Sequence, residues 1–353
     1  FTLLTITTIV AVLLLLFHQF HDVLAGTSIP EAYDDAWPLL EAASSTAMKV
    51  ITDSLELWGR HIDTTRGGSP IVFFNPLAFD REDIIEIHPQ DEAEQFALFD
   101  EQFQEVPVQR EAGHLGFRAR VRSLGFACYH LSTEHTPQAL ASGLVVTPTS
   151  IENQHVRIEI DPKSGALCAL RDQRSAGQNL LAGPGGALIV LRDLSDTWSH
   201  DVVSFRDEAG RFEPVGPPEI VERGPVRAAI RVKSRWGDST AEQTFYLYDG
   251  LARIDVCLVV NWAERHKMLK LAFPTAIERP VATFDAPYGC ITRPTNGEEE
   301  PVQRWLDLSG SVAGQPAGLA LINDGHYGAD VKDSEMRLSL FRSPIYAFND
   351  PRK

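Results

Sequence analysis

The feature that most constrains this chain is a change of hydrophobic period near Gly68. Before it, Tyr33, Trp37, Leu40, Ser44, Met48, Ile51, Leu55 and Trp58 recur at intervals of three and four. That spacing draws an apolar stripe along one face of a helix, and it reads as core. After Gly68, short alternating runs take over: 71–74, 84–87, 117–121, 127–131, 155–160, 166–170, 187–191, 226–232, 243–248 and 254–260. Alternation sends successive side chains to opposite faces of a strand. No helix-length periodic stretch interrupts the series, so the chain beyond Gly68 is expected to fold as sheets packed face to face. Asp161-Pro162-Lys163-Ser164-Gly165 and Asp249-Gly250 mark hairpin turns between consecutive runs.

A chain of 353 residues has room for two or three domains with proper cores. Its apolar and charged fractions, 44% and 23%, are those of a soluble globular protein. Acidic residues outnumber basic ones by 48 to 32, and no block of Lys or Arg occurs. Nucleic acid is therefore excluded as a partner, because phosphate binding needs a basic face. Cys128, Cys168, Cys257 and Cys290 are too widely spaced for a compact zinc knuckle. They are expected to be reduced and buried, in a cytoplasmic protein. Nucleotide-binding and serine-hydrolase signatures are missing.

Residues 1–17 carry no charge. The run can be read as a buried helix, a membrane helix or the core of a targeting peptide. It falls short of the roughly 20 apolar residues a span needs, and His21-Asp22 follows where a cleavage site would stand. A buried helix over 8–20 is expected, with the membrane an unlikely partner. Ser28-Ile29-Pro30-Glu31 reads as a capping box for the next helix. Pro38 should kink or split that helix, and Gly59, Gly67-Gly68 and Pro70 should end it.

The stretch with most chemistry is His18-Gln19-Phe20-His21-Asp22, followed by Leu24-Ala25-Gly26-Thr27-Ser28-Ile29. Imidazole and carboxylate are usual zinc ligands in hydrolytic sites. His18 lies three residues before His21, so on a continuous helix the two share a face and could form half of a metal pair. A second cluster, Asn261-Trp262-Ala263-Glu264-Arg265-His266-Lys267-Met268-Leu269-Lys270, follows an apolar run and reads as a strand end with solvated charges. Asp324, His326 and Tyr327 read as a turn.

These pieces resemble glycoside hydrolase family 38, the α-mannosidases. Residues 18–29 resemble the family's Asn-Gln-Phe-His-Asp-Ile-Leu-Pro-Gly-Ser-Ser-Ile motif. His18 stands where the family has Asn. Phe74-Asn75-Pro76-Leu77, the strand Gly125 to Leu131, the cluster 261–270, Leu321 to Gly328, and Leu338 to Pro344 resemble further family segments in the same order.

The resemblance implies the C-terminal portion of such an enzyme, with an α+β architecture. Residues 1–66 would hold the end of the catalytic region and a helical middle domain. Residues 67–144 would form a small β-sandwich. Residues 145–353 would form a large, mostly antiparallel, mutarotase-like super-sandwich, truncated at its C-terminus. The family cleaves α-linked mannose with retention, using a carboxylate nucleophile, a second carboxylic acid and a zinc ion. By resemblance, His21 is a Zn2+ ligand and Asp22 binds the sugar. The nucleophile, the acid and the other ligands belong to an upstream barrel, so no catalytic residue is expected here and the isolated chain should be inactive. The implied partner is a mannose-containing oligosaccharide. A non-catalytic carbohydrate-binding β-sandwich is the alternative.

Overall fold

A computed structural model describes residues 2–88, 95–111, 113–138, 141–174 and 177–346. Internal contacts divide the chain into two units. One comprises Phe1–Arg81, Gln95–Glu105 and Arg120–Thr136; the other comprises Glu82–Glu94, Val106–Ala119 and Pro137–Lys353.

The first unit contains helices α1 (Thr2–Phe17), α2 (His21–Leu24) and α3 (Pro30–Gly59). It also contains a four-stranded sheet in the order Ser69–Asn75, Gly125–Ser132, Ala97–Phe99, Glu105–Val106. The first two strands run antiparallel, from Ser69 opposite Leu131 to Asn75 opposite Gly125. Asn75 is buried and closes the corner: its Nδ2 donates to the carbonyls of Phe79, Arg122 and Val121 at 2.8, 3.0 and 3.2 Å. Its Oδ1 accepts from the Leu77 N–H at 3.1 Å.

Several expectations for the helices are corrected. α3 runs unbroken through Pro38, which removes one N–H from the ladder without ending the helix. The capping box does not form, because Ile29 is the N-cap and no side chain caps it. Pro30 at the first helical position brings no N–H to be capped, and the Ser28 N–H donates instead to the Tyr33 hydroxyl at 3.1 Å.

α1 packs against α3, and the residues α3 buries are not the large ones of the stripe. The buried residues of α3 are Ala36 and Ala43. Trp37, Met48, Ile51, Leu55 and Trp58 are exposed. α1 does form, but Ile9, Leu13, Leu16 and Phe17 are exposed, so the expected buried helix is a surface one in this chain. Among the described residues, no helix is long and apolar enough to cross a membrane.

The second unit is antiparallel β-structure throughout its main ladders. Its six-stranded sheet has the order Glu208–Arg211, Ala187–Arg192, Lys267–Pro274, Glu335–Arg342, Gly328–Lys332, Asn296–Pro301. Another sheet joins Glu213–Pro214, Arg227–Trp236, Ser239–Tyr248 and Ile254–Asn261. A third joins Gly289–Arg293, Glu278–Ala286, Trp305–Val312 and Gln315–Ile322. One continuous core gathers residues from all of them, including Val190, Ile230, Phe245, Leu269, Leu271, Phe284 and Leu306.

Both hairpin turns form where the sequence marks them. Asp161 organises the first: its carboxylate accepts from the Lys163 N–H and the Ser164 hydroxyl, and its carbonyl accepts from the Gly165 N–H. Gly250, at φ 76°, completes the second.

Strand Ala187–Arg192 is buried on both faces. Leu188 and Val190 enter the main core, while Ile189 and Leu191 pack with Phe205, Met268 and Ala272 on the other side. Lys270 shares that second face by alternation with Met268 and Ala272. Its side chain is fully buried, against the expectation of a solvated strand end. Asp330 and Glu299 hold its ammonium group, Asp330 at 2.6 Å. Arg206 also pairs with Asp330, and with Glu335 at 3.2 Å. All four cysteines are free thiols, but only Cys128 is buried.

Candidate functional site

His21 and Asp22 open α2, a single turn between α1 and α3. Three features fix this turn. Phe20 precedes it at φ −55° and ψ 136°, and its ring lies tilted against the His21 ring with centroids 4.3 Å apart. Gly26, at φ 74°, reverses the chain after it. Tyr33, one helical turn into α3, then staples it from the far side. The Tyr33 hydroxyl lies 3.3 Å from the carbonyls of both Asp22 and Val23, to which it can donate, and it accepts from the Ser28 N–H. The Thr27 N–H donates to the Asp22 carbonyl as well, at 3.2 Å.

The side chains themselves face outward. The His21 side chain is 77% exposed and that of Asp22 43%, and His21 Nε2 lies 3.5 Å from Asp22 Oδ1. Main-chain bonds thus fix the backbone while the imidazole and carboxylate stay accessible to a ligand.

His18 does not join them. α1 ends at Phe17, so the helix that would put His18 and His21 on one face is broken between them. His18 is buried, and its Nδ1 bonds to the Leu14 carbonyl at 2.7 Å.

A hydrolytic zinc ion takes three protein ligands and keeps an open position. Among the described residues there is no group of three or more His, Cys, Asp or Glu side chains placed to hold a metal. His21 with Asp22 offers at most two donors. Among the described residues, His21 and Asp22 are therefore too few donors to close a zinc site by themselves.

The second cluster is structural. His266 sits at φ 52° where the chain passes between sheets, with its N–H on the Ser343 carbonyl and its own carbonyl accepting from the Asp193 N–H. Glu264 accepts from the Ser239 hydroxyl at 3.0 Å and the Asp238 N–H at 3.2 Å. Asn323 builds the turn at Asp324, accepting from the N–H groups of Gly325 and His326.

Two arrangements have no counterpart in the sequence reading. One is Tyr33, read as part of an apolar stripe; its position just after Gly26-Thr27-Ser28 is the signal that marks it as a staple. The other is the segment after strand Ala187–Arg192. Buried Asp193 takes the Arg342 guanidinium at 2.9 Å and the Ser195 hydroxyl at 2.5 Å. Buried Asp196 accepts from the Trp198 N–H at 3.0 Å and from the His200 ring at 2.6 Å. Burial alone would raise the Asp196 pKa, but the bonds and charge from His200, with the Trp198 N–H, outweigh it and hold it below the ordinary aspartate value. The two acids brace a surface segment that carries exposed Leu194 and Trp198.

Residues 151–352 match the family model described as the glycosyl hydrolases family 38 C-terminal domain. Alpha-mannosidase G of Dictyostelium discoideum is 26% identical over 92% of this chain and 34% of its own length. Alpha-mannosidase 2C1 of Mus musculus is 26% identical over 94% of this chain and 31% of its own length. The chain thus spans about a third of the length of the curated relatives it matches. The crystal structure of an alpha-mannosidase from Enterococcus faecalis V583 superposes with a TM-score of 0.76 at 14% identity, over 94% of this chain and 46% of that one. At that identity the likeness speaks for the fold.

Proposed function

The chain belongs to glycosyl hydrolase family 38, and from that membership we propose that it is part of a retaining, zinc-dependent α-mannosidase that removes terminal α-linked mannose from oligosaccharides or glycans. The observation that carries the reading to a site is the His21–Asp22 turn: two outward-facing donor side chains on a backbone stapled by Tyr33. His21 would supply one imidazole nitrogen to the zinc. Asp22 would accept a hydrogen bond from a sugar hydroxyl beside it. Zinc, when bound, orients sugar hydroxyls and favours ring distortion toward the transition state. The nucleophilic carboxylate, the acid and the remaining ligands would come from outside this chain, so the chain alone should be inactive. The four unpaired thiols favour a reducing, cytoplasmic setting.

The test is His21→Ala in the full-length protein. Zinc content and turnover should fall together, by more than the roughly 10–100-fold that an outer-sphere partner costs. Asp22→Asn should keep zinc and lose turnover. His266→Ala should leave both in place, because His266 serves the chain passage between sheets. A His21→Ala protein with unchanged zinc and unchanged turnover would overturn the role given to His21, whereas a full-length wild type that binds mannosides without zinc and without turnover would favour a non-catalytic carbohydrate-binding sandwich.

A further inference from the structure

The second unit holds a groove of about 420 Å³ that the proposed hydrolysis does not use. Its floor comes from two paired strands. Val232 lies opposite Gln243, and Ser234 lies opposite Ala241, so Val232, Ser234 and Gln243 face the same side. Ser234 is only 6% exposed, and its hydroxyl has no hydrogen-bond partner among the described residues. A buried hydroxyl left unbonded is costly. Gln243 beside it is fixed by a 2.8 Å bond from its Nε2 to the Gly186 carbonyl.

The groove is built into the backbone. Gly165 and Gly186 line it at φ 70° and 68°, conformations that favour glycine. A Cβ on Gly165 would fall 2.8 Å from Val232 Cγ1. Pro184 and Pro214 give rigid apolar walls. At the mouth, Lys163 and Glu213 carry opposite charges, and Arg211 is held by Glu208 at 2.6 Å.

A site with apolar walls, a buried hydroxyl and amide below, and a rim of mixed sign suits a neutral polyhydroxylated ring. A sugar ring offers a C–H face to the prolines, and a hydroxyl to Ser234 once the covered Ser234 hydroxyl turns toward the groove. A phosphate or carboxylate would meet Glu213 without a surplus of cation. The volume lies within the usual range for small-ligand pockets, about 300–1,000 Å³. We propose that this groove is a saccharide-binding site, formed wholly within the second unit, that takes a neutral mannoside. The choice of mannose rests on the mannosidase reading above; the groove does not.

The test is titration of the 353-residue chain with methyl α-mannoside and an α-linked mannobiose, followed by calorimetry and saturation-transfer NMR. Wild type should bind. Ser234→Ala should weaken binding by about 3–10-fold, the loss of one neutral hydrogen bond. Lys163→Trp, at the exposed mouth, should abolish it while the melting temperature stays put. Absence of mannoside binding, binding that both variants leave unchanged, or displacement of the sugar by inorganic phosphate would each overturn the proposal. The proposed hydrolysis is absent from this chain alone, so a negative result here leaves the His21→Ala test standing. A negative His21→Ala result likewise leaves the groove to be judged by its own titration.

Discussion

Replacing Lys270 by methionine should destabilise the second unit by about 3–5 kcal/mol, the cost of breaking a buried ion pair by removing one partner. Methionine follows the path of the lysine stem and packs with Met268 and Ala272, so the apolar contacts survive. What is lost is the ammonium group between Asp330 and Glu299. Asp330 keeps Arg206, whereas Glu299 is left with the Ser339 hydroxyl and a bare negative charge. The side chain of Glu299 is 19% exposed, so some hydration remains and the lower end of the range, about 3 kcal/mol, is expected. Against a typical total of about 5–15 kcal/mol this is a large fraction. A second variant fixes the cause. Lys270→Met with Glu299→Gln removes one charge of each sign and leaves Arg206, Arg337, Asp330 and Glu335 in balance. The double variant should recover at least about 1 kcal/mol relative to Lys270→Met. Urea unfolding followed by tryptophan fluorescence reads both numbers. A Lys270→Met protein within about 1 kcal/mol of wild type, or a double variant no better than the single one, would refute the view that an uncompensated buried charge sets the cost.

Asn75→Ala should cost the first unit about 1–3 kcal/mol, because three carbonyls lose the donor that closes the corner; urea unfolding measures it, and a loss under about 0.5 kcal/mol would deny the corner its role. Gly165→Ala should lower the melting temperature, since a left-handed φ and a 2.8 Å approach to Val232 both oppose a Cβ; an unchanged melt would contradict the backbone argument. Asp196 predicts a pH dependence. Its folded pKa is depressed, so its stabilisation is present above the unfolded value and is lost as pH falls through the folded one. The stability gap between wild type and Asp196→Asn should therefore be full near about pH 6 and close toward about pH 3. A gap that widens on acidification would reverse the sign of the argument.

The β part was legible because burial and pairing leave a period of two in the sequence. Seven of the ten alternating runs lie within strands and the other three, at 155–160, 166–170 and 226–232, start one residue early, and Asp161 and Gly250 close the hairpins that their residue types announce. What escaped were short strands such as Ala97–Phe99 and Ser150–Glu152, too brief to show a period, and Lys267–Pro274, whose two buried faces erase it. Lys270 went unread for the same reason: a lysine inside a strand looks like a solvent residue until Glu299 and Asp330, distant in sequence, are brought to it. The site was legible only as residue types. His21 and Asp22 are named by the resemblance of residues 18–29 to the family motif, whereas neither the break after Phe17 that turns His18 away nor the Tyr33 hydroxyl that ties the turn down shows in that motif.

The helices show where periodicity stops being informative. A three-four stripe reports that one face of a helix is apolar; it does not report what covers that face. In α3 the large residues Trp37, Met48, Ile51 and Trp58 form such a stripe and are exposed, while Ala36 and Ala43 are buried. Small residues score weakly as hydrophobic signal, yet they set how closely two backbones approach, and dispersion falls off steeply with distance. The residues that α3 buries are thus the ones a hydrophobic pattern weighs least. The same separation holds at the turn between the helices. Its backbone is fixed from within by Tyr33 and Gly26, whereas the chemistry it presents, the imidazole of His21 and the carboxylate of Asp22, points outward. Structure inside the chain accounts for the placement of these side chains, and function is left to what they meet.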